Sequence, residues 1–149
     1  MRILSLALAS LLLSGCAGLP QSDLLALQNA ANQDYANGRF VEAGEQYRRL
    51  AKAMPADAGV RYQLGNSLAR QGDVQGAINS YREALLRDRQ HARAWHNLLQ
   101  LQLREALFTA TEMQSTLNPQ QPQADRALAL GKRLLDVMEQ PGRDAEQEP

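Results

Sequence analysis

The segment Ala58–His91, AGVRYQLGNSLARQGDVQGAINSYREALLRDRQH, carries a pattern that the chain has already used once. Sliding the sequence so that Gly72 falls on Gly38 also sets Ala77 on Ala43 and Tyr81 on Tyr47. A period of this length marks a stacked unit that buries its apolar face only against its neighbours. Within the segment, small or apolar residues fall at Leu64, Gly65, Leu68, Gly72, Ala77, Ile78, Tyr81, Ala84 and Leu85. β-branched residues are scarce while Ala, Leu, Gln, Arg and Glu abound, which favours helix. The chain of 149 residues suits one domain.

Taken in order, the chain reads as a series of helices. Ser22 is placed to cap a first helix over about Asp23–Asn37, with Asp23 in the first turn. Asn37-Gly38 ends it, since glycine adopts the left-handed conformation at low cost. A second helix spans about Phe40–Ala53 and stops at Pro55. Asp57 is placed to cap a third, which closes at Gln71-Gly72, and Asp73 a fourth, which runs to about Asp88. From Ala92 the pattern changes. Trp95 and Leu98 keep the register of a first helix, Trp95 as a packing residue, but Ala106 stands at the turn glycine. Thr111 and Ser115 replace the small and aromatic residues that would follow, so one longer helix is expected over about Ala92–Leu117. After a Pro/Gln linker at Asn118–Gln123, a last helix over about Gln123–Glu139 carries an apolar stripe of Ala127, Leu128, Leu134, Leu135 and Met138. It is expected to cap the array and to turn a polar face outward.

These residues resemble the tetratricopeptide repeat (TPR), a helix–turn–helix unit of about 34 residues. The resemblance spans about Leu24 to Leu103 and implies an all-α, TPR-like helix–turn–helix solenoid. It would hold about two full repeats, a partial third and a C-terminal capping helix. Departures are Ala30-Ala31 in place of Leu-Gly in the first repeat, and Arg89 in the second where the first has Pro55. Such units stack into a superhelix whose concave face is lined by each repeat's first helix. On this chain that face offers Gln28, Asn29 and Asn32, then Tyr62, Gln63, Asn66 and Arg70, then His96, Asn97, Gln100 and Arg104. Asn29, Gln63 and Asn97 recur at the repeat interval, as do Asn32, Asn66 and Gln100. A ladder of amides can donate to and accept from the backbone of an extended peptide. Arg70 and Arg104 share the period and can grip a carboxylate with a two-bonded fork. A protein or extended peptide is therefore the expected partner, with self-association as a further route to a complete groove.

The N-terminus carries a different message. Met1-Arg2 gives a positive start, and Ile3–Leu13 is an apolar run broken only by Ser5 and Ser10. It is too short to span a bilayer, which takes about 20 apolar residues, and fits a secretory signal peptide. Leu13-Ser14-Gly15-Cys16 resembles the bacterial lipobox, and Cys16 is the sole cysteine. The resemblance implies a diacylglyceryl group on the Cys16 sulfur, cleavage before Cys16, and a lipid-held protein. Ala17 rather than Asp follows, which by analogy with Gram-negative sorting directs the protein to the outer membrane, facing the periplasm. The expected organisation is a lipoprotein signal peptide at 1–15, a lipidated tether at 16–21, the helical domain at 22–139 and a disordered acidic tail at 140–149.

Other function classes find little support. Lys+Arg and Asp+Glu both number 16, so no basic excess draws nucleic acid. No glycine-rich phosphate loop or Gly-x-Ser-x-Gly turn is present. His91 and His96 are five apart, which does not set them on one helix face for a metal. No catalysis, metal or cofactor is expected beyond the covalent lipid. TPR lipoproteins of this description resemble accessory factors of pili and secretion machines, which implies a scaffold or assembly factor with a secretin-type partner. A lipid-anchored regulator of peptidoglycan enzymes and a self-associating structural scaffold are the alternatives.

Overall fold

A computed structural model describes residues 20–117 and 122–139. The expected signal peptide and lipobox with Cys16, most of the expected 118–123 linker and the expected tail at 140–149 lie outside the described residues. Among the described residues six helices follow one another: α1 (Gln21–Ala36), α2 (Phe40–Ala53), α3 (Ala58–Gln71), α4 (Val74–Arg87), α5 (Ala92–Thr116) and α6 (Gln123–Glu139). The substantial contacts join sequence neighbours, α1 with α2, α2 with α3, and so on to α6. The fold is thus an all-α, TPR-like helical repeat.

The turns follow the expected chemistry. Asp57 accepts from the Val60 amide at 2.9 Å and Asp73 from the Gly76 amide at 2.9 Å, so both carboxylates satisfy first-turn donors. Gly38 and Gly72 take φ of 77° and 83°, the left-handed region that ends α1 and α3. Ser22 does not cap α1. The helix begins one residue before it, with Pro20 as its N-cap, and the Ser22 hydroxyl donates to Asp23 instead. Proline sets its own φ to a helix-compatible value and so starts a helix without a capping side chain. Asp34 then ties α1 to α2. Its carboxylate accepts from Arg39 Nε at 2.8 Å and Gln46 Nε2 at 2.7 Å, and the Arg39 bond holds its pKa below the ordinary carboxylate value.

Two apolar clusters form the core. One joins Ala31, Ala43, Tyr47, Leu50, Ala51 and Val60, and the other joins Leu68, Ala77, Ile78, Tyr81, Ala84, Leu85, Ala94 and Leu98. Small residues let the helices approach closely. A β-carbon at Gly65 would stand 2.6 Å from the Tyr81 ring, so the glycine is what admits the tyrosine. Buried Arg61 bridges helices: it donates to the Ala51 carbonyl at 3.1 Å and lies 3.1 Å from the Glu83 carboxylate.

The third repeat departs from the first two. α5 runs straight past Ala106 for 25 residues. α6 folds back along its outer half, where Gln114 Nε2 donates to Asp125 at 2.7 Å and Gly131 faces Leu107. Two expectations are corrected here. Trp95, read as a packing residue, is 53% exposed, because no helix among the described residues lies over it. The outer side of α6, expected to be polar, exposes Leu130, Leu134 and Val137. Leu128 and Leu135 are half-buried while Ala127 is exposed.

Candidate partner-binding face

The polar residues expected on the inner face belong to α1, α3 and α5. Helical periodicity sets each group on one side of its helix, and the repeat sets the groups side by side. The structure gathers most of them around two small polar cavities. One, of about 230 Å³, is lined by Gln28, Asn32, Tyr62 and Gln63 together with Tyr47 and Arg93. The other, of about 150 Å³, is lined by Asn66, Arg70, Asn97, Gln100 and Arg104 with Tyr35 and Tyr81. Asn29 and His96 are exposed and line neither cavity.

A hydrogen-bonded wall separates the cavities. Tyr81 donates its hydroxyl to Asn66 Oδ1 at 2.9 Å, and Asn97 Nδ2 donates to the same oxygen at 3.0 Å. Asn66 Nδ2 in turn donates to Gln63 Oε1 at 2.9 Å. Asn97 Nδ2 also lies 3.4 Å from the hydroxyls of Tyr62 and Tyr81. With two donors, both lone pairs of Asn66 Oδ1 are occupied. The amide ladder is therefore committed inward at its central rungs, to the protein's own tyrosines. One repeat earlier the same bond recurs, Tyr47 to Asn32 Oδ1 at 2.7 Å. Burial pushes the Tyr81 hydroxyl up to about 12 and raises Tyr47 as well, because the charged phenolate is poorly solvated there.

The cations of the face remain available. The Arg70 guanidinium lies 4.4 Å over the Phe40 ring, a cation–π contact that uses the flat side of the group. Such a contact leaves the in-plane N–H donors to a carboxylate. Arg104 lines the same cavity. At the other cavity Arg93 stands over Tyr62 at 5.7 Å, and the His91 ring lies 4.7 Å from that of Tyr62.

Sequence reasoning misses Tyr47, Tyr81, Arg93 and His91 in this face. The tyrosines carry a readable signal, since Asn32–Tyr47 and Asn66–Tyr81 have the same spacing and stand one repeat apart. His91 and Arg93 carry none, because they flank a helix start whose direction depends on packing. Among the described residues no group of three or more His, Cys, Asp or Glu could hold a metal, and no helix is long and apolar enough to cross a membrane. No curated protein matches the chain. The Tetratricopeptide repeat family model matches residues 34–107, from the end of α1 into α5, and the helical pairs of that stretch form a TPR-like protein-interaction scaffold.

Proposed function

We propose that this chain is a lipid-anchored scaffold that captures an extended protein segment on its inner face and serves assembly of a pilus or secretion machine in the envelope. One observation carries the capture: Arg70 and Arg104, one period apart, line the same small cavity beside Gln100. Two forked cations at one repeat spacing suit a segment bearing acidic side chains or a terminal carboxylate. The anchor rests on Met1-Arg2, the Ile3–Leu13 run and Leu13-Ser14-Gly15-Cys16. Two or more acyl chains at about 0.8 kcal/mol per buried methylene hold a protein to a membrane durably. The role is one of binding, without catalysis.

The test is retention of envelope proteins by a soluble Ala17–Pro149 fragment, identified by mass spectrometry. A secretin or other pilus-machine subunit is the expected catch. Arg70→Glu with Arg104→Glu should weaken that catch at least tenfold while helicity holds. Recovery of peptidoglycan enzymes would replace the machine reading, and an unweakened catch would move the site off this face. For the anchor, Cys16→Ser should abolish lipid labelling and release the protein from membranes; continued labelling would end the lipobox reading.

A further inference from the structure

A second surface lies away from the inner face, at the third repeat. A groove of about 660 Å³ runs between α4 and α5, floored by Leu85, Leu86, Trp95 and Leu98 and edged by Arg82 and Arg89. Leu86 is 76% exposed and Trp95 53%. Leu99, next to Leu98 on α5, is also exposed. The repeat explains what this groove is. Shifted back by one period, Leu85, Arg89, Trp95 and Leu98 become Ala51, Pro55, Arg61 and Leu64. Those are positions over which α4 lies. Arg61, bonded to the Ala51 carbonyl, stands beside Glu83 of α4, and Arg87 of α4 donates to the Pro55 carbonyl. The groove is thus the seat of a second helix that the described residues of the third repeat do not supply.

α6 does not fill it. The Gln114–Asp125 bond and the Gly131–Leu107 contact fix α6 antiparallel to α5 in a register that brings its end, Glu139, level with about residue 100. The seat begins near that level and continues toward the start of α5. Arg61, roofed by α4, is only 8% exposed, whereas Trp95 at the same place is open.

We propose that this seat binds an amphipathic helix of a partner protein, with acidic residues on its flank and a small residue at the centre of its apolar stripe. The seat of a repeat helix selects a helix, in the groove-binding mode that other helical proteins use. The acidic flank follows from Arg82 on α4 and Arg89 just past its end. Both edge the groove, and neither enters an ion pair among the described residues. The small residue follows from Leu99, which replaces Gly65. There α4 brings Tyr81 against a glycine; here an exposed leucine stands at the same register of α5, so a helix taking the seat must be small opposite it. This extends the scaffold reading to a second surface and stands independently of the inner face.

Trp95 is the chain's single tryptophan, so its emission reports on this seat alone. The probe is a synthetic helical peptide of about four turns, with a Leu/Ala stripe, a central Ala and Glu on the flanks. A companion peptide carries Lys in place of Glu. Titration of the Ala17–Pro149 protein with the Glu peptide should give a saturable blue shift, and the Lys peptide should bind at least tenfold more weakly. Arg82→Glu with Arg89→Glu should reverse that preference, with helicity checked by circular dichroism. Arg70→Glu with Arg104→Glu should leave the titration unchanged, which separates this site from the inner face. No shift with the Glu peptide, or equal affinity for both peptides, would overturn the proposal. So would a blue shift that follows protein concentration alone, because a second copy would then occupy the seat.

Discussion

At the scale of single residues, the feature with the most chemistry is the pair of tyrosine hydroxyls that reach across each repeat to an asparagine. Tyr81→Phe removes the donor to Asn66 and should cost about 1 kcal/mol in urea unfolding, the net worth of one such bond. The pH dependence has a definite sign. In the unfolded chain the phenol titrates near its ordinary 10, whereas in the fold it titrates at about 12. The unfolded state therefore loses its proton first. Stability from this group is whole below pH 10 and declines between pH 10 and about 12. The decline measured by denaturation across that range should be smaller in Tyr81→Phe, and an identical slope would show that Tyr81 does not titrate as described. The asparagines are legible in the sequence as a periodic polar set. Their engagement shows in the sequence only as the recurring Asn–Tyr spacing, because an exposed-looking position does not itself announce a tyrosine arriving from the following helix.

At the scale of the element, α3 and α5 show what one residue does to helix pairing. Gly65→Ala should cost roughly 1–3 kcal/mol, since the new methyl meets the Tyr81 ring at 2.6 Å in a close-packed site. A thermal or urea midpoint unchanged from the parent would show that the ring can withdraw freely. α5 has Leu99 at that register, and no helix of the third repeat presses upon it. Helix boundaries are legible wherever an Asp cap or a turn glycine stands, as at Asp57, Asp73, Gly38 and Gly72. They are less so at Ser22, where a good capping residue loses to the proline before it. The seating of α6 is illegible for a related reason. Its apolar residues cover more than one side, so periodicity alone does not say which of them α5 buries.

At the scale of the whole molecule, stability is shared between neighbours and is uneven. The two apolar clusters bind α1 through α4 and the first turns of α5. Farther out, Ala110 and Ala124 are the buried apolar residues that join α5 to α6 among the described residues. In a linear array each junction opens on its own account. Amide exchange should therefore be fastest in α6 and the outer half of α5, and slowest in α3 and α4. Uniform protection along the chain would mean a single cooperative unit. The straight course of α5 has a mechanical consequence as well. α4 holds it as far as Glu105, which accepts a hydrogen bond from Gln75 of α4 at 2.6 Å, and the stretch from Ala106 to Thr116 projects beyond that bond, a length of about 15 Å. Such a helix is a beam fixed at one end. A tilt of about ten degrees at the clamp would carry the far tip, with α6 attached, through about 3 Å, so a slight adjustment near the Gln75–Glu105 bond becomes a larger displacement at the free end.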